Sequence, residues 1–323
     1  MNKFKNIIIK SSEMGERIDK FLSLKLPEYS RNYFVESIKE SKITINNKSI
    51  KPSYIVKVGD SVEIEFVEAK RTTEARGENI DLNIIYEDKD VLVINKQPGL
   101  VVHPSAGHSG GTLVNAIINY FPAITNAVYD KDSEISKLRP GLVHRLDKDT
   151  SGVIIVAKNA RSMHSLSKQI QNHHAQKTYY AICYGWPKNE SGQIVSHLGR
   201  HPKNRKKIAN IGAKNGKEAI SNYSLIKHYE TTLGKFSLIE FDIKTGRTHQ
   251  IRVQASDMGN PVLGDDFYGN KLSETLSLKL NIKRQLLHAK ALEIKLPGKN
   301  NISIFNAPLP QDFNRILNNA TKL

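Results

Sequence analysis

The hydrophobic pattern near the start of the chain predicts a small module of two helices followed by a sheet. Within residues 18–22, apolar side chains recur at i, i+3 and i+4, which is the spacing of one helix face, and a second helix follows. Residues 42–50 then alternate between apolar and polar, as a half-buried strand does. Asn46 and Asn47 predict a tight turn, because Asn tolerates positive φ. We therefore predict a module over residues 12–67.

The pattern changes after residue 67. Residues 68–79 carry almost no apolar bulk and are predicted to form a linker. From residue 80 to 323, strands and helices are mixed without a regular βαβ rhythm, so the predicted fold class is α+β. Helices are predicted at 113–120 and 160–172, and strands at 84–86, 91–94, 153–157, 179–184, 236–243 and 288–294.

The charge of the chain indicates a polyanionic partner. The 323 residues carry a formal net charge of +16, and the pI is about 9.6. Between residues 158 and 217 there are twelve Lys or Arg and a single acid, Glu190. A one-signed stretch favours phosphate contact, whereas a surface that is only solubilising usually mixes the two signs. Nucleic acid, an acidic membrane and a solvated basic surface are the three interpretations of this charge.

Several classes of protein are not expected. Cys183 is the single cysteine, so no intramolecular disulfide or cysteine metal site is predicted. The apolar runs 7–9 and 153–157 are too short for a signal-peptide core or a membrane span. We expect a soluble cytoplasmic protein. His173 and His174 are adjacent, and neighbouring residues of a helix face different sides, so no metal is expected there.

The segment 141–153 concentrates reactive groups between two apolar stretches. It contains the carboxylates Asp147 and Asp149 and the cations Arg145 and Lys148. Loops held by a sheet are where reactive side chains are usually placed. A structural interpretation is equally open from the residues alone, because Asp147 could cap the turn that follows it.

This segment also resembles a known family. The sequence His-Arg-Leu-Asp-Lys-Asp-Thr-Ser-Gly at 144–152 is similar to the signature loop of the large-subunit ribosomal and transfer-RNA pseudouridine synthases. Other blocks follow in the family's order, at 96–104, 177–181, 245–252, 264–269 and 284–289. Residues 12–67 resemble the S-four RNA-binding module. The likeness is strongest to the D-type large-subunit enzymes.

The resemblance implies a catalytic domain with a mixed, largely antiparallel sheet and assigns roles within it. Asp147 corresponds to the nucleophile and Tyr179 to the aromatic residue that packs on the base. Arg252 would be the cation beside Asp147, with Arg247 as the second choice. The resemblance further implies that Arg145 fills the place vacated in the RNA. The substrate-binding residues are then Arg145, Arg247, His249 and Leu287.

The expected activity is isomerisation of uridines to pseudouridine in large-subunit (23S) ribosomal RNA, with flipping of the target base. The reaction involves no redox change, and no dinucleotide fingerprint, P-loop or zinc spacing is visible, so no cofactor or metal is expected. The expected partner is ribosomal RNA or a precursor large subunit, bound by a monomer. The alternatives are a transfer-RNA synthase of the same family and a non-catalytic ribosome-assembly factor.

Basic residues in two regions are predicted to contact RNA phosphates. They are Arg17, Lys20, Arg31, Lys39, Lys42 and Lys48 in the small module, and Arg200, Lys203, Arg205, Lys206 and Lys207 in the basic stretch. One departure from the family bears on the site. The family usually has His after Ile-Arg-Val, where this chain has Gln254, so the departure affects the expected positioning of substrate.

Overall fold

The structure is a computed structural model in which the chain forms two compact units, Met1–Arg71 and Thr72–Leu323. It describes residues 3–26, 29, 31–66, 75–104, 110–129, 134–204 and 207–322. The first is called the N-terminal unit, and the second is called the catalytic unit after the role that the resemblance implies for it.

The N-terminal unit is a four-stranded antiparallel sheet with two helices. Its elements are β1 (Lys3–Ile8), α1 (Ile18–Lys25), α2 (Arg31–Lys39), β2 (Ile43–Ile45), β3 (Lys48–Ser49) and β4 (Ser61–Phe66), with a short 3-10 turn at Ser11–Glu13. The strand order is β1-β4-β2-β3. Ile18, Leu22 and Phe34 of the helices pack against Ile43 and Ile64 of the sheet. The predicted arrangement of two helices followed by a small antiparallel sheet is confirmed.

Two details of this unit follow from local chemistry. Asn46 and Asn47 have φ of 52° and 60°, the left-handed values that the predicted turn requires. The structure also adds a strand that lies before the predicted start at residue 12. β1 pairs along β4, with Ile7 opposite Val62. Lys and Asn interrupt its apolar residues, so alternation did not reveal it.

The catalytic unit is built around an 11-stranded sheet. Its strands are β5 (Ile84–Glu87), β6 (Val91–Lys96), β7 (Ser151–Ala157), β8 (Gln176–Tyr184), β9 (Ser191–Arg200), β10 (Ile208–Asn210), β11 (Lys217–Thr231), β12 (Gly234–Ile243), β13 (Leu287–Lys295), β14 (Ile302–Asn306) and β15 (Thr321–Lys322). Its helices are α3 (Leu113–Tyr120), α4 (Glu134–Lys137), α5 (Ala160–Gln171), α6 (Gln250–Asp257), α7 (Lys271–Lys279) and α8 (Gln311–Asn318), with a 3-10 turn at Pro122–Asn126.

The strand order confirms the predicted class. The main path is β10-β9-β11-β12-β8-β13-β7-β6-β5, with β14 beside β13 and β15 beside β11. Within the described residues, β7 and β13 form the parallel pair and the other strand pairs are antiparallel. The sheet is therefore mixed and largely antiparallel, and the class is α+β. β7, β8, β12 and β13 lie side by side in the middle, where both faces are covered by apolar clusters.

Capping chemistry explains the starts of two predicted helices. The Thr112 side chain accepts a hydrogen bond from the amide of Asn115 and begins α3 at Leu113. The Asn159 side chain accepts one from the amide of Ser162 and begins α5. Both helices match the predicted spans, apart from one residue at the end of α5.

The end of the predicted linker is part of the catalytic unit. Residues 67–74 lie outside the described residues, but Ala75 is buried in the core beside α3. The Asn115 amide donates to the carbonyl of Arg76 at 2.7 Å, and the carboxylate of Glu78 accepts from the amide of Gly111 at 2.9 Å. Polar composition did not reveal this docking, because the backbone and not apolar side chains makes most of it.

The pair His173 and His174 is not helical, which corrects the reason given for excluding a metal there. α5 ends at Gln171, and His173 has a left-handed φ of 59°. Among the described residues, no group of three or more His, Cys, Asp or Glu is placed to hold a metal ion. The helices described are also all too short or too polar to cross a bilayer.

Gly152 fixes the approach of β7 to β13 at the end of the 141–150 loop. Its φ is +112°, and a Cβ built on it would lie 2.1 Å from the carbonyl oxygen of Ala289. β7 and β13 pair at this point, with Ala289 opposite Gly152. Only glycine allows this backbone contact, so Gly152 sets the position of the loop that precedes it.

We expect Gly152→Ala to destabilise the catalytic unit by about 3 kcal/mol or more, because both strain and overlap must be relieved. Gly99→Ala is the control. Its φ is +84° with no atom within 4 Å of the added Cβ, so it should cost only about 1–2 kcal/mol. Trp186, the single tryptophan, reports unfolding of this unit in urea. Equal losses in the two variants would contradict the role of Gly152.

Candidate active site

The 141–150 loop is held by its backbone before any of its side chains act. Leu142 forms a bridge with Val156 of β7, and the His144 ring accepts a hydrogen bond from the amide of Ile155 at 3.0 Å. Burial lowers the pKa of His144 to about 3, so the ring stays neutral and accepts. Arg284 donates to the carbonyl of Asp149 at 2.8 Å. These contacts fix the loop against the strand that follows it.

Lys96 is the most buried of these anchors, with 1% of its side chain exposed. Its Nζ donates to the carbonyls of Gln97, Leu100 and Lys148 at 2.8–2.9 Å. All three ammonium protons are therefore used. Burial lowers the pKa of Lys96 to about 7. Because Lys148 follows Asp147 directly, this lysine restrains the backbone next to the candidate nucleophile.

Arg252 holds Asp147 by an ion pair that continues to a second acid. Its Nη1 lies 3.0 Å from Asp147 Oδ2, while Nε and Nη2 donate to the two oxygens of Asp265 at 2.6 and 2.9 Å. Arg252 lies on α6 and is buried. Burial opposes its charge, but Asp265 and Asp147 together raise its pKa. Asp147 thus faces a permanent cation.

Two further groups complete the surroundings of this ion pair. His249 is the N-cap residue of α6 and has a left-handed φ of 55°. Its Nε2 lies 3.8 Å from Asp147 Oδ2. Its Nδ1 lies 2.7 Å from the hydroxyl of Tyr268, which also accepts from the amide of Ile208 at 2.9 Å. Burial lowers the pKa of His249, although Asp147 opposes this. The neutral ring is therefore favoured at pH 7.

A cavity of about 90 Å³ opens beside Asp147, between Tyr179, Leu287, Arg145 and Arg247. Tyr179 lies on β8 opposite Phe241 and is 8% exposed. Burial, and then the charge of Asp147, raise the pKa of its hydroxyl, which stays protonated. Tyr180, the next residue, lies on the other face of the strand, in a different apolar cluster. The cavity therefore joins a carboxylate to an aromatic wall.

Arg145 is held over this cavity by a histidine that the sequence interpretation did not single out. His103 is buried, and its Nδ1 lies 2.9 Å from the carbonyl of Pro104, which can only accept. Its Nε2 therefore accepts from Arg145 Nη1, at 3.2 Å. Burial lowers the pKa of His103 and favours this neutral form. Arg145 itself is exposed and can reach beyond the cavity.

Arg247 and Gln254 have structural contacts that differ from their expected roles. Arg247 lines the cavity but donates to the carbonyl of Glu218 at 2.9 Å, so Arg252 is the cation that pairs with Asp147. Gln254 is fully buried and does not line the cavity. It bonds Ser221 at 2.7 Å and Ser196 at 2.9 Å. The departure from the family at this position thus fastens α6 to the sheet.

Residues 201–207, in the densest part of the basic stretch, connect β9 to β10 and are called the basic loop. Arg200 ends β9, Lys203 is exposed, and the amide of His201 donates to the carbonyl of Lys207 at 3.0 Å, which closes the loop. Arg205 and Lys206 lie outside the described residues. Because Ile208 is bonded to Tyr268, and Tyr268 to His249, this loop is anchored beside the cavity.

In the N-terminal unit, most of the predicted RNA-binding cations already have acidic neighbours. Arg17 and Arg31 both bond the buried Asp19, at 3.1 and 2.8 Å. The remaining pairs are Lys20 with Glu16, Lys39 with Glu36, and Lys42 with Glu40, while Lys48 lies exposed on β3. These cations share one small unit, but acidic side chains partly compensate their charge.

Comparisons with known proteins agree with this geometry. A family model described as RNA pseudouridylate synthase matches residues 90–257, and a model of the S4 domain matches residues 16–62. The chain is 40% identical over 314 residues to an uncharacterized RNA pseudouridine synthase of Chlorobaculum parvum, covering 93% of each chain. It is 37% identical to ribosomal large subunit pseudouridine synthase D of Pseudomonas aeruginosa, covering 93% of this chain and 90% of that protein.

A solved structure is also similar. Human RNA pseudouridylate synthase domain containing 1 superposes with a TM-score of 0.56 at 25% identity, covering 72% of this chain and 85% of that one.

Asp265, His103 and Lys96 are the site residues that the sequence interpretation missed. Each lies within a motif block that carried the resemblance, so the blocks themselves were the available signal. Their chemistry did not stand out, because each acts through a neighbour and not on the cavity. Pairing between residues far apart in the sequence, such as that between Arg145 and His103, is visible only in the fold.

We expect Asp265→Asn to lower the free energy of unfolding of the catalytic unit by about 3 kcal/mol or more, because it leaves a buried guanidinium short of charge. Asp147→Asn should cost less than about 1 kcal/mol, since Asp147 is part-exposed and makes one of the three bonds to Arg252. The exposed neighbour Asp266→Asn is the control. Urea unfolding followed at Trp186 gives all three values; a larger loss for Asp147→Asn would refute this division of roles.

Proposed function

We propose that this chain, which belongs to the RNA pseudouridine synthase family, converts specific uridines of large-subunit ribosomal RNA to pseudouridine. The observation that carries the proposal is the Asp147 carboxylate held 3.0 Å from a buried arginine, at the edge of a cavity walled by Tyr179. This arrangement places a carboxylate beside a permanent cation in a partly enclosed place, which is a setting suited to attack on a sugar carbon.

In the proposed reaction, Asp147 acts at ribose C1′ while the bond from C1′ to uracil N1 breaks. Either an ester forms between Asp147 and C1′, or the carboxylate stabilises the positive charge that develops at the sugar. The uracil then turns, and C5 joins C1′. Where the ester has formed, its bond to C1′ breaks in this step and the Asp147 carboxylate is restored. The proton leaves C5 and N1 gains one, so the product is an isomer of the substrate. No electron acceptor enters this balance.

The target base must leave its stack to reach the cavity. Flipping costs a few kcal/mol, and stacking on an aromatic side chain recovers about 1–3 kcal/mol of this. Tyr179 is placed for that contact, and its raised pKa favours a packing or donating role over that of a base. Arg145, exposed and oriented by His103, is the candidate to fill the vacated place in the RNA.

Ribosomal RNA is the proposed substrate for two reasons. The Pseudomonas aeruginosa relative is named as a large-subunit ribosomal enzyme and aligns over 93% of this chain. A basic loop is also anchored beside the cavity through Tyr268. This proposal requires the cytoplasm, where ribosomes are assembled. A non-catalytic assembly factor would have no need of the Asp147, Arg252 and Asp265 arrangement.

Deleting the gene should remove specific pseudouridines from large-subunit ribosomal RNA, as mapped by carbodiimide modification and primer extension. A plasmid copy should restore them, whereas Asp147→Asn should restore none while binding RNA with a Kd within about threefold of wild type, because the fold and cations remain. Asp149→Asn, two residues along the same loop, is the matched control and should restore them. Sites lost only from transfer RNA would redirect the substrate assignment. An active Asp147→Asn would exclude the nucleophile.

RNA affinity should fall steeply with salt, because lysines and arginines that bind phosphates release counterions, at about 0.7–0.9 in log–log slope for each contact. Combining Lys203→Ala with Lys207→Ala should reduce the slope by about 1.5 in magnitude. Lys279→Ala, which changes an exposed lysine of α7, should leave the slope unchanged. Fluorescence anisotropy with a labelled ribosomal RNA hairpin gives the slopes between 50 and 300 mM salt. Over this range the Debye length falls to roughly 40% of its starting value. An unchanged slope in the double variant would remove the basic loop from the interface.

A further inference from the structure

Lys177 is a mostly buried lysine whose side chain ends at a cavity. It lies on β8 two residues before Tyr179, on the same face, and is 6% exposed. Ile243 of β12 lies opposite it. Among the described residues, none offers its Nζ a hydrogen bond or an ion pair, and burial alone lowers its pKa. The fully enclosed side-chain atoms without a partner in the described residues are His228 Nε2 and Ser237 Oγ, and Lys177 Nζ is not one of them. The amine therefore opens onto a cavity next to the active-site tyrosine, and no acceptor of the fold occupies it.

Lys177 differs from Lys96 in the acceptors that the fold supplies to its Nζ. Lys96 is buried to a similar degree, and the fold supplies three carbonyl acceptors at 2.8–2.9 Å. Burying an ammonium without acceptors costs several kcal/mol, and buried polar groups in proteins are nearly always bonded. Lys177 has no such acceptor within the described residues, so its amine is available to an acceptor that enters the cavity from outside the chain.

The place where that acceptor can sit is a cavity of about 430 Å³. Lys177 lines it together with Arg145, Arg247, His173 and Gln171. None of the described residues that line it is Asp or Glu. His144 also faces it, but this ring accepts a hydrogen bond from Ile155 and is neutral. The cavity therefore combines two exposed guanidinium groups with a buried amine and has no acid to neutralise them.

The same cavity adjoins the catalytic one. Tyr179, Arg145 and Arg247 line both. A Cβ added at Gly246, which also lines both, would lie 3.6 Å from Lys177 Nζ, so the amine reaches the boundary between the two cavities. A ribose held at Asp147 in the first cavity would bring the phosphates of its own nucleotide toward that boundary.

We propose that Lys177 binds a phosphodiester directly flanking the target uridine and so positions the ribose for Asp147. The proposal rests on the proposed function. A phosphate supplies the charged oxygen acceptors that Lys177 lacks, and ammonium groups bind phosphate as point charges. Arg145 and Arg247 flank the same space and add to its positive potential. Because the phosphate contact is the same in the bound substrate and in the transition state, it contributes to binding more than to the chemical step.

The first test is Lys177→Met, which keeps the length of the side chain and removes its charge. We expect KM for a ribosomal RNA hairpin carrying a mapped uridine to rise about 10- to 100-fold, the loss typical of a charge-assisted hydrogen bond, while kcat changes less than threefold. Its unfolding midpoint at Trp186 should equal or exceed that of wild type, because an unpartnered charge is removed from the interior. Lys279→Met is the control and should match wild type in both.

The second test is a cycle with the RNA. A neutral methylphosphonate replaces the phosphate on the 5′ or the 3′ side of the target uridine in two separate hairpins. For wild type, one of them should raise KM about tenfold or more, and Lys177→Met should then add little to that loss. Additive effects at both linkages, or an unchanged KM in Lys177→Met, would overturn the proposal.

Folding failures and functional failures are separable in this design. If Lys177→Met does not fold, Lys177→Gln, which keeps a polar head group, replaces it. Failure of both to fold would show that Lys177 supports the structure and would overturn its role in RNA binding. If wild type forms no pseudouridine in the unmodified hairpin, the proposed function itself fails. An active wild type with additive effects rejects only the Lys177 contact.

Discussion

The site depends on a single guanidinium shared by two carboxylates. Asp265 takes two of the donors of Arg252 and is itself fixed by the amides of Phe267 and Tyr268. The fork of an arginine is planar and rigid, so the direction of the third donor is decided once Asp265 is in place. Asp147 lies in that direction. A lysine could neutralise Asp147, but it has no rigid fork through which Asp265 could fix the position of the Asp147 carboxylate.

The guanidinium would have little effect without the restraint on the loop. Lys96 and the amide of Gly99 both donate to the carbonyl of Lys148, and Arg284 donates to the next carbonyl along. These donors bind the backbone on one side of Asp147, and Arg252 binds its carboxylate on the other. The acid is therefore positioned from two independent directions, with its remaining surface turned toward the cavity.

Much of this organisation could be predicted from the sequence, and the limits have physical causes. Helix α3 and strands β7, β8 and β12 follow from apolar periodicity, because this signal is local. Asp147, Tyr179 and Arg252 were identified through motif blocks, and the fold brings them to one cavity. Asp265 and His103 were missed because their effect passes through another side chain. β1 and the docking of residues 75–79 were missed because backbone pairing leaves little trace in composition.

The arrangement around Asp19 in the N-terminal unit has an entropic consequence. The buried Asp19 carboxylate accepts hydrogen bonds from the guanidinium groups of Arg17 and Arg31, which would otherwise sample many rotamers. Their immobilisation takes place when the unit folds, ahead of any encounter with a polyanion. When a polyanion binds this surface, the two cations are already at a set spacing. Binding therefore costs less side-chain entropy than it would if the arginines were mobile.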